Sequence, residues 1–392
     1  MTNRILRLRT ASVSQALAFV LASAVVATPS AQAQSFRELY SFSGVGRDGE
    51  YPIGGLVQDK TGNFYSTTYQ GGAYGYGTVF EVNKTGNERV LHSFNLGDGA
   101  YPGAGLVLDT AGNLFGTTDV GGAYNLGTVF QINKSGKERV LHSFSGTPGD
   151  GAGPNAGLIQ DAAGDLYGTT TSGGAYGYGT VFKLSRSAPE KVLYSFTGMD
   201  GDGATPYSSL VIDAAGNLYG TTNGGGAYGY GTVFEIDETG NETVLYSFTG
   251  INGDGKNPYS GLLQDAAGNL YGTTLLGGAD GYGTVYVVDT TGKEKVIYSF
   301  TFAGVNGDGP SAGLIQDTAG NLYGTDQWGG DYGLGSVFVV TTGGQEKVLH
   351  SFAGPDGKWL LSGLVQDAAG NLYGTTVYGG AYGWGTVFEV RP

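Results

Sequence analysis

The chain has 392 residues, 75 of them glycine and only 11 proline, with no cysteine, 20 basic and 34 acidic side chains and a net charge of −14. It has no Gly-X-Y period, which excludes collagen, and with 40% hydrophobic and 12% aromatic residues it is too apolar for a disordered glycine linker. The lack of cysteine excludes disulfides and thiolate metal sites, and the acidic balance argues against a phosphate backbone, so no nucleic-acid partner is expected.

The chain opens with Arg4, Arg7 and Arg9, followed by an apolar run over residues 16–27. That run is too short to span a membrane comfortably, and Ala31-Gln32-Ala33 has the A-x-A form of a signal cleavage site. Cleavage is expected after Ala33, which removes three arginines and no acid and takes the net charge to −17. The expectation is a secreted or periplasmic protein, monomeric, with no membrane insertion after cleavage. Residues 1–33 form the signal peptide and 34–392 a single domain.

From there the chain repeats. GTVF or a near variant begins at Gly77, Gly127, Gly179, Gly231, Gly283, Gly335 and Gly385, at spacings of 50 to 52 residues. The first unit contains four segments of strand character: 55–59 (GLVQD), 63–68 (NFYSTT), 77–82 (GTVFEV) and 88–94 (ERVLHSF). Tight turns join the first pair (Lys60-Thr61-Gly62) and the last pair (Asn83 to Asn87), each closed by a left-handed glycine. The other two connections, 69–76 and 95–104, are longer. Four antiparallel strands in about 50 residues, seven times over, predict an all-β fold, a seven-bladed β-propeller.

Closure follows from a second repeat. The V-L-[YH]-S-F strand ends at Phe42, Phe94, Phe144, Phe196, Phe248, Phe300 and Phe352. Its first copy precedes the first GLVQD, so Arg37–Phe42 is expected to complete blade seven, whose other strands lie at 363–390. The rival framing, with this strand first in each blade, would make a four- or five-residue turn cross between blades.

The unit from Asp161 to Thr170 (DAAGDLYGTT), followed by Gly173-Gly174, resembles a kelch-type blade. More specifically, the motifs DAAGNLYGTT and GGAYGYGTVFEV resemble the GloVer tandem repeat of bacterial secreted proteins, over nearly all of residues 36–390. The resemblance implies a secreted repeat protein with no settled activity. Kelch-type enzymes carry copper ligands that include cysteine, which this chain lacks.

Propeller topology sends both long connections to one face, here called the top. This face is mainly acidic, with Arg47, Lys256 and Lys358 as its bases. It is expected to favour cations or neutral polyols. An Asp-Gly pair recurs in each linker, from Asp48 to Asp356. Asp200 with Asp202, Asn252 with Asp254 and Asn306 with Asp308 resemble a calcium loop, but calcium takes six to eight oxygens and each loop offers two side chains. An Asx turn is the favoured reading, and no other cofactor is expected. Asp59 and its equivalents end strand one, where the carboxylate can accept N–H bonds of the next turn. His92, His142 and His350 alternate with tyrosine at one position, which suggests packing with one hydrogen bond and no three-histidine metal site.

Function is sought where the repeats differ. Trp328, Trp359 and Trp384 break the pattern, with Tyr378, Asp326, Gln327 and Asp331 beside them. Flat aromatics with carboxylates and amides suit a sugar, the rings covering its apolar face. Packing of the rings between loops explains them equally well. The expected function is non-catalytic binding or scaffolding, with a polysaccharide or surface glycan as ligand. One alternative is a glycoside hydrolase or lyase using top-face carboxylates such as Asp326 and Asp331. Another is a structural envelope protein.

Overall fold

The computed structural model describes residues 35–147, 149–186, 189–301 and 309–392. The expected signal segment and its cleavage site lie outside the described residues, as do Asn306 and Asp308. Among the described residues no helix is long and apolar enough to cross a membrane.

Seven four-stranded antiparallel sheets form the seven blades. In blade one the strands are Val57–Gln58, Phe64–Thr68, Thr78–Val82 and Glu88–Ser93. The first strand is innermost, because the segments leading into it from all seven blades line one common cavity. Both tight turns close as expected: Gly62 and Gly86 have φ of 88° and 87°, and their N–H groups donate to Asp59 O and Asn83 O.

Ser35–Ser41 completes blade seven against Thr386–Arg391, pairing Ser41 with Thr386 and Tyr40 with Val387. Blade one pairs Ser93 with Thr78 and His92 with Val79, and both ladders bulge one step further on. The N-terminal strand thus stands where every other blade has its own fourth strand.

Two contacts hold neighbouring blades together, and each occurs seven times. The phenylalanine ending strand four of one blade meets the third-strand ring of the next edge-to-face. Phe42 lies 5.0 Å from Phe80, Phe94 5.0 Å from Phe130 and Phe352 5.1 Å from Phe388. Such pairs add about 0.5–1.5 kcal/mol each beyond the area they bury. The glycine in the middle of strand two makes the room: a Cβ on Gly116 would sit 2.6 Å from Phe130 Cζ.

The second contact explains the first threonine of each Thr-Thr pair. Thr67 Oγ1 donates to Ala104 O at 2.9 Å, and Thr221 Oγ1 to Ser260 O at 3.1 Å, both across to the following blade. Thr375 Oγ1 donates to Gly54 O at 3.4 Å and so joins the last blade to the first. The second threonine stays within its blade; Thr68 Oγ1 meets Thr78 Oγ1 at 2.8 Å.

The long connections, read from sequence as separate loops, are zipped together. Gly49–Glu50 of the linker pairs with Gln70–Gly71, and three further blades repeat the pairing. The double glycine permits this, since a Cβ on Gly71 would lie 2.7 Å from Asp48 O.

Thr221→Val keeps the shape but removes the O–H that Ser260 O accepts in a fully buried interface. The variant should lose about 1–3 kcal/mol. Thr243→Val, on an exposed strand position, should be neutral. Urea unfolding midpoints of the two variants check this.

Candidate functional site

Each linker turns inward through a residue in the left-handed region: Tyr51, Tyr101, Gly153, Thr205, Asn257, Gly309 and Trp359, with φ between 56° and 68°. Proline follows in six cases and Leu360 in the seventh. Backbone bonds hold this residue from both sides. Thr205 N donates to Tyr178 O of the preceding blade at 2.9 Å, and Thr205 O accepts from Asn223 N of its own blade at 3.2 Å. Side-chain identity is therefore free to vary at the turn.

The next residue in each linker faces the axis. These residues are Ile53, Gly103, Asn155, Tyr207, Tyr259, Ser311 and Leu361, and all seven line a central cavity of about 760 Å³. Tyr69, Leu275 and Gln327 of the second connections join the wall. The volume lies within the usual range for small-molecule sites. Below them runs a ring of glycines broken only by Ser209; a Cβ on Gly105 would stand 3.1 Å from Gly55 O, and one on Gly363 3.1 Å from Gly313 O. This close approach narrows the channel beneath the funnel.

Among the described residues, none lining the funnel carries a charge at neutral pH. Tyr207 and Tyr259 stack 4.7 Å apart at 18°. Burial, with Tyr207 beside it, pushes the Tyr259 phenol up to about 12, so it remains an O–H donor. Tyr69 stacks on Tyr101 at 5.1 Å. Asp119, raised by burial, is hydrogen-bonded to the Asn155 side chain. The wall thus combines flat rings with amide and hydroxyl groups.

The residues singled out from sequence separate into three groups. Gln327 lines the funnel, and the neighbouring Trp328 is 41% exposed, lying over Gly309. Trp359, Tyr378 and Trp384 form a chain of edge-to-face contacts with a fourth ring, Tyr51: Trp359 to Tyr378 is 5.0 Å, Tyr378 to Tyr51 4.9 Å and Tyr51 to Trp384 5.2 Å. Lys358 Nζ caps Trp359 and Tyr378, 5.9 Å from each ring. Here packing between loops accounts for the rings.

Asp326 corrects the expectation of a top-face carboxylate. It occupies the second-threonine position of blade six and is fully buried. Its carboxylate accepts bonds from Ser336 Oγ and from Gly329 N, replacing the threonine pair of the other blades. Asp331 lies apart from it on an exposed loop. The two do not form an open pair.

The linker aspartates bind their own turns. Asp202 Oδ2 accepts from Tyr194 OH at 3.1 Å and from Thr197 N and Oγ1 at 2.7 and 2.8 Å, and Oδ1 accepts from Gly203 N at 2.6 Å. Asp254 Oδ2 bonds Tyr246 and Thr249 in the same way. Asp200 and Asn252 are left-handed turn residues. These bonds fit the Asx-turn role, and the tyrosine position gains the single bond expected of it. Among the described residues the sevenfold ring of exposed tyrosines is incomplete but evident: Tyr74, Tyr124, Tyr176, Tyr228, Tyr332 and Tyr382 are about 60% exposed on the outer loops. Sequence reading missed this crown and the funnel residues other than Gln327. The funnel was detectable, because the residue after the linker proline differs from blade to blade.

Fold and funnel define a β-propeller with a neutral, aromatic cavity at the centre of its loop face. The chain belongs to the Gloeobacter/Verrucomicrobia repeat family, whose model matches residues 25–150, 85–264 and 251–392. A search of curated proteins returns no match. Among solved structures, the extracellular domain of a protein described as a one-component system from B. thetaiotaomicron superposes with a TM-score of 0.58. It shares 11% identity, over 90% of this chain and 39% of that one. A gluconolactonase from Xanthomonas campestris matches with a TM-score of 0.48 and 14% identity, over 91% and 89% of the two chains. The first likeness shows the fold alone, and the second carries nothing further.

Stability should depend on pH through buried carboxyls. Burial, most of it between blades, pushes Glu88, Glu242, Glu294, Glu346 and Asp326 up to about 7. Their contribution is complete below the ordinary carboxylate value of about 4 and is lost as pH rises through 7. The hairpin aspartates act oppositely. Burial alone would raise Asp59, but bonds from Thr61, Asn63 and Tyr65 bring it to about 2, so its contribution is lost only as pH falls toward that value. Thermal melts should give the highest Tm near pH 5 and a lower one at pH 8. A Tm that is flat or rising across that interval contradicts the assignment.

Proposed function

We propose that the protein is a non-catalytic binding propeller, secreted or periplasmic, whose central funnel takes a neutral sugar or polyol. The observation that carries this is the funnel wall: its rim is built largely from residues that vary between repeats, and among the described residues none is charged. A pyranose has an apolar face suited to the Tyr207–Tyr259 stack, and its hydroxyls match Asn155, Gln327 and Ser311. Trp328, exposed beside the rim, provides a further ring. The acidic linkers around the rim disfavour anionic polymers.

The same wall favours binding over hydrolysis. Paired-carboxylate chemistry needs two acids at a set separation, and among the described residues no carboxylate lines the funnel. A second reading rests on the tyrosine crown. Six exposed rings spread over the outer loops suit a polymer lying across the face, with the funnel holding one terminal or branching unit.

A glycan array with the protein lacking residues 1–33 tests both readings. Binding of short neutral glycans should fall about fivefold or more in Tyr207→Ala and Tyr259→Ala, since one stacked ring contributes roughly 1 kcal/mol or more. Trp359→Ala should lower Tm and leave affinity unchanged. Preference for polymers over their monomers, reduced by Tyr228→Ala, would favour the second reading. Full affinity in a Tyr207→Ala/Tyr259→Ala double variant would remove the funnel from consideration, and release of product would move the case to hydrolysis.

A further inference from the structure

At the perimeter, most interfaces between blades among the described residues bring together three polar groups. One is the tyrosine or histidine of strand four, one is the linker aspartate, and one is the glutamate that opens strand four of the next blade. In the tyrosine version the phenol donates to the aspartate, as Tyr194 does to Asp202. The glutamate nearby, Glu242, keeps one oxygen shut off from solvent and unpartnered.

Three interfaces replace the phenol with imidazole, and two of these keep the glutamate. His92 Nε2 stands 3.2 Å from Asp98 Oδ2, and His142 Nε2 stands 3.2 Å from Asp150 Oδ1. Glu138 and Glu190 complete the two groups, with all three donor atoms of each within 4.8 Å of one another. Glu138 Oε1 and Glu190 Oε1 are again buried and unpartnered, and so is His92 Nε2, whose approach to Asp98 is too oblique for a hydrogen bond.

We propose that His92–Asp98–Glu138 and His142–Asp150–Glu190 are twin sites for a divalent transition-metal ion of the zinc class. The donor set argues for that class. One imidazole nitrogen with two carboxylate oxygens suits a borderline ion, whereas calcium and magnesium prefer oxygen throughout. Charge argues the same way, because two half-buried carboxylates balance one dication. The 3.2 Å nitrogen–oxygen spacing is close to an edge of a tetrahedron with bonds of about 2 Å. A modest closure of the glutamate would bring in the third ligand, and water would take the fourth position. His142 and Glu190 also line a cavity of about 740 Å³ between blades two and three, which provides an entry path.

The three ligands come from strand four of one blade, the linker, and strand four of the next blade. A bound ion therefore staples neighbouring blades. The third histidine supplies an internal control. His350 Nε2 lies 2.9 Å from Asp356 Oδ2, but Phe36 stands where the other interfaces have glutamate and stacks on the imidazole at 4.2 Å. Among the described residues, that interface forms no three-donor group.

Calorimetric titration of chelator-treated protein with ZnCl2 tests the proposal. Two equivalents should bind, and zinc should raise the Tm. His142→Tyr should leave one equivalent, and His92→Tyr with His142→Tyr should leave none. Both variants should fold, because tyrosine fills this position at Tyr40, Tyr194 and Tyr246. His350→Tyr should still bind two. Failure of the parent protein to bind zinc overturns the proposal. So does unchanged stoichiometry in the double variant, which would place the metal elsewhere.

Discussion

Everything in this molecule depends on one interface made seven times. A propeller ring closes only if every blade meets the next in the same way, since a small error repeated seven times leaves a gap. Two contacts set that geometry here. The edge-to-face phenylalanine pair fixes how far apart the blades sit, and the buried threonine-to-carbonyl bond fixes their height. Both work because strand two carries a glycine in its middle, which lets the ring of strand three lie flat against the sheet. Blade one departs from this rule with Ser66, whose hydroxyl donates to Gly54 O and Gly55 O, so the polar group is satisfied where the glycine is missing.

The functional face follows from how the linkers are held. Each is anchored by backbone bonds to two blades, six carry a proline at the turn, and the described aspartates clamp their own linkers. Side chains contribute little at the turn itself and at the residue after proline. Those positions can therefore change from blade to blade without disturbing the ring. The interface is uniform and the funnel is varied for the same reason: in one, side chains carry the structure, and in the other the backbone does.

Much of the fold was legible in the sequence because turn chemistry repeats. The left-handed glycines, the hairpin aspartates and the displaced first strand each have a local cause, and each stands where the repeat puts it. The site was less legible. The tryptophans drew attention as departures from the repeat, yet Trp359 and Trp384 fill space around Tyr51, a residue from the other end of the chain. Asp326 looked like a surface acid because its neighbours are loop residues. Its position is that of a buried threonine, and Ser336, ten residues on, is the compensating change. Reading the two substitutions as a pair would have placed both inside.

The sequence alone determined the number of blades, the order of strands within each and the strand that closes the ring. These follow from hydrophobic patterning and turn residues acting over a few positions. Tertiary structure alone decided which departures from the repeat face a cavity, which face each other and which are buried. It set Tyr207 against Tyr259, 52 residues apart, and His142 beside Glu190, 48 residues apart. Such meetings depend on the angle between blades, a property of the whole ring that no single repeat contains.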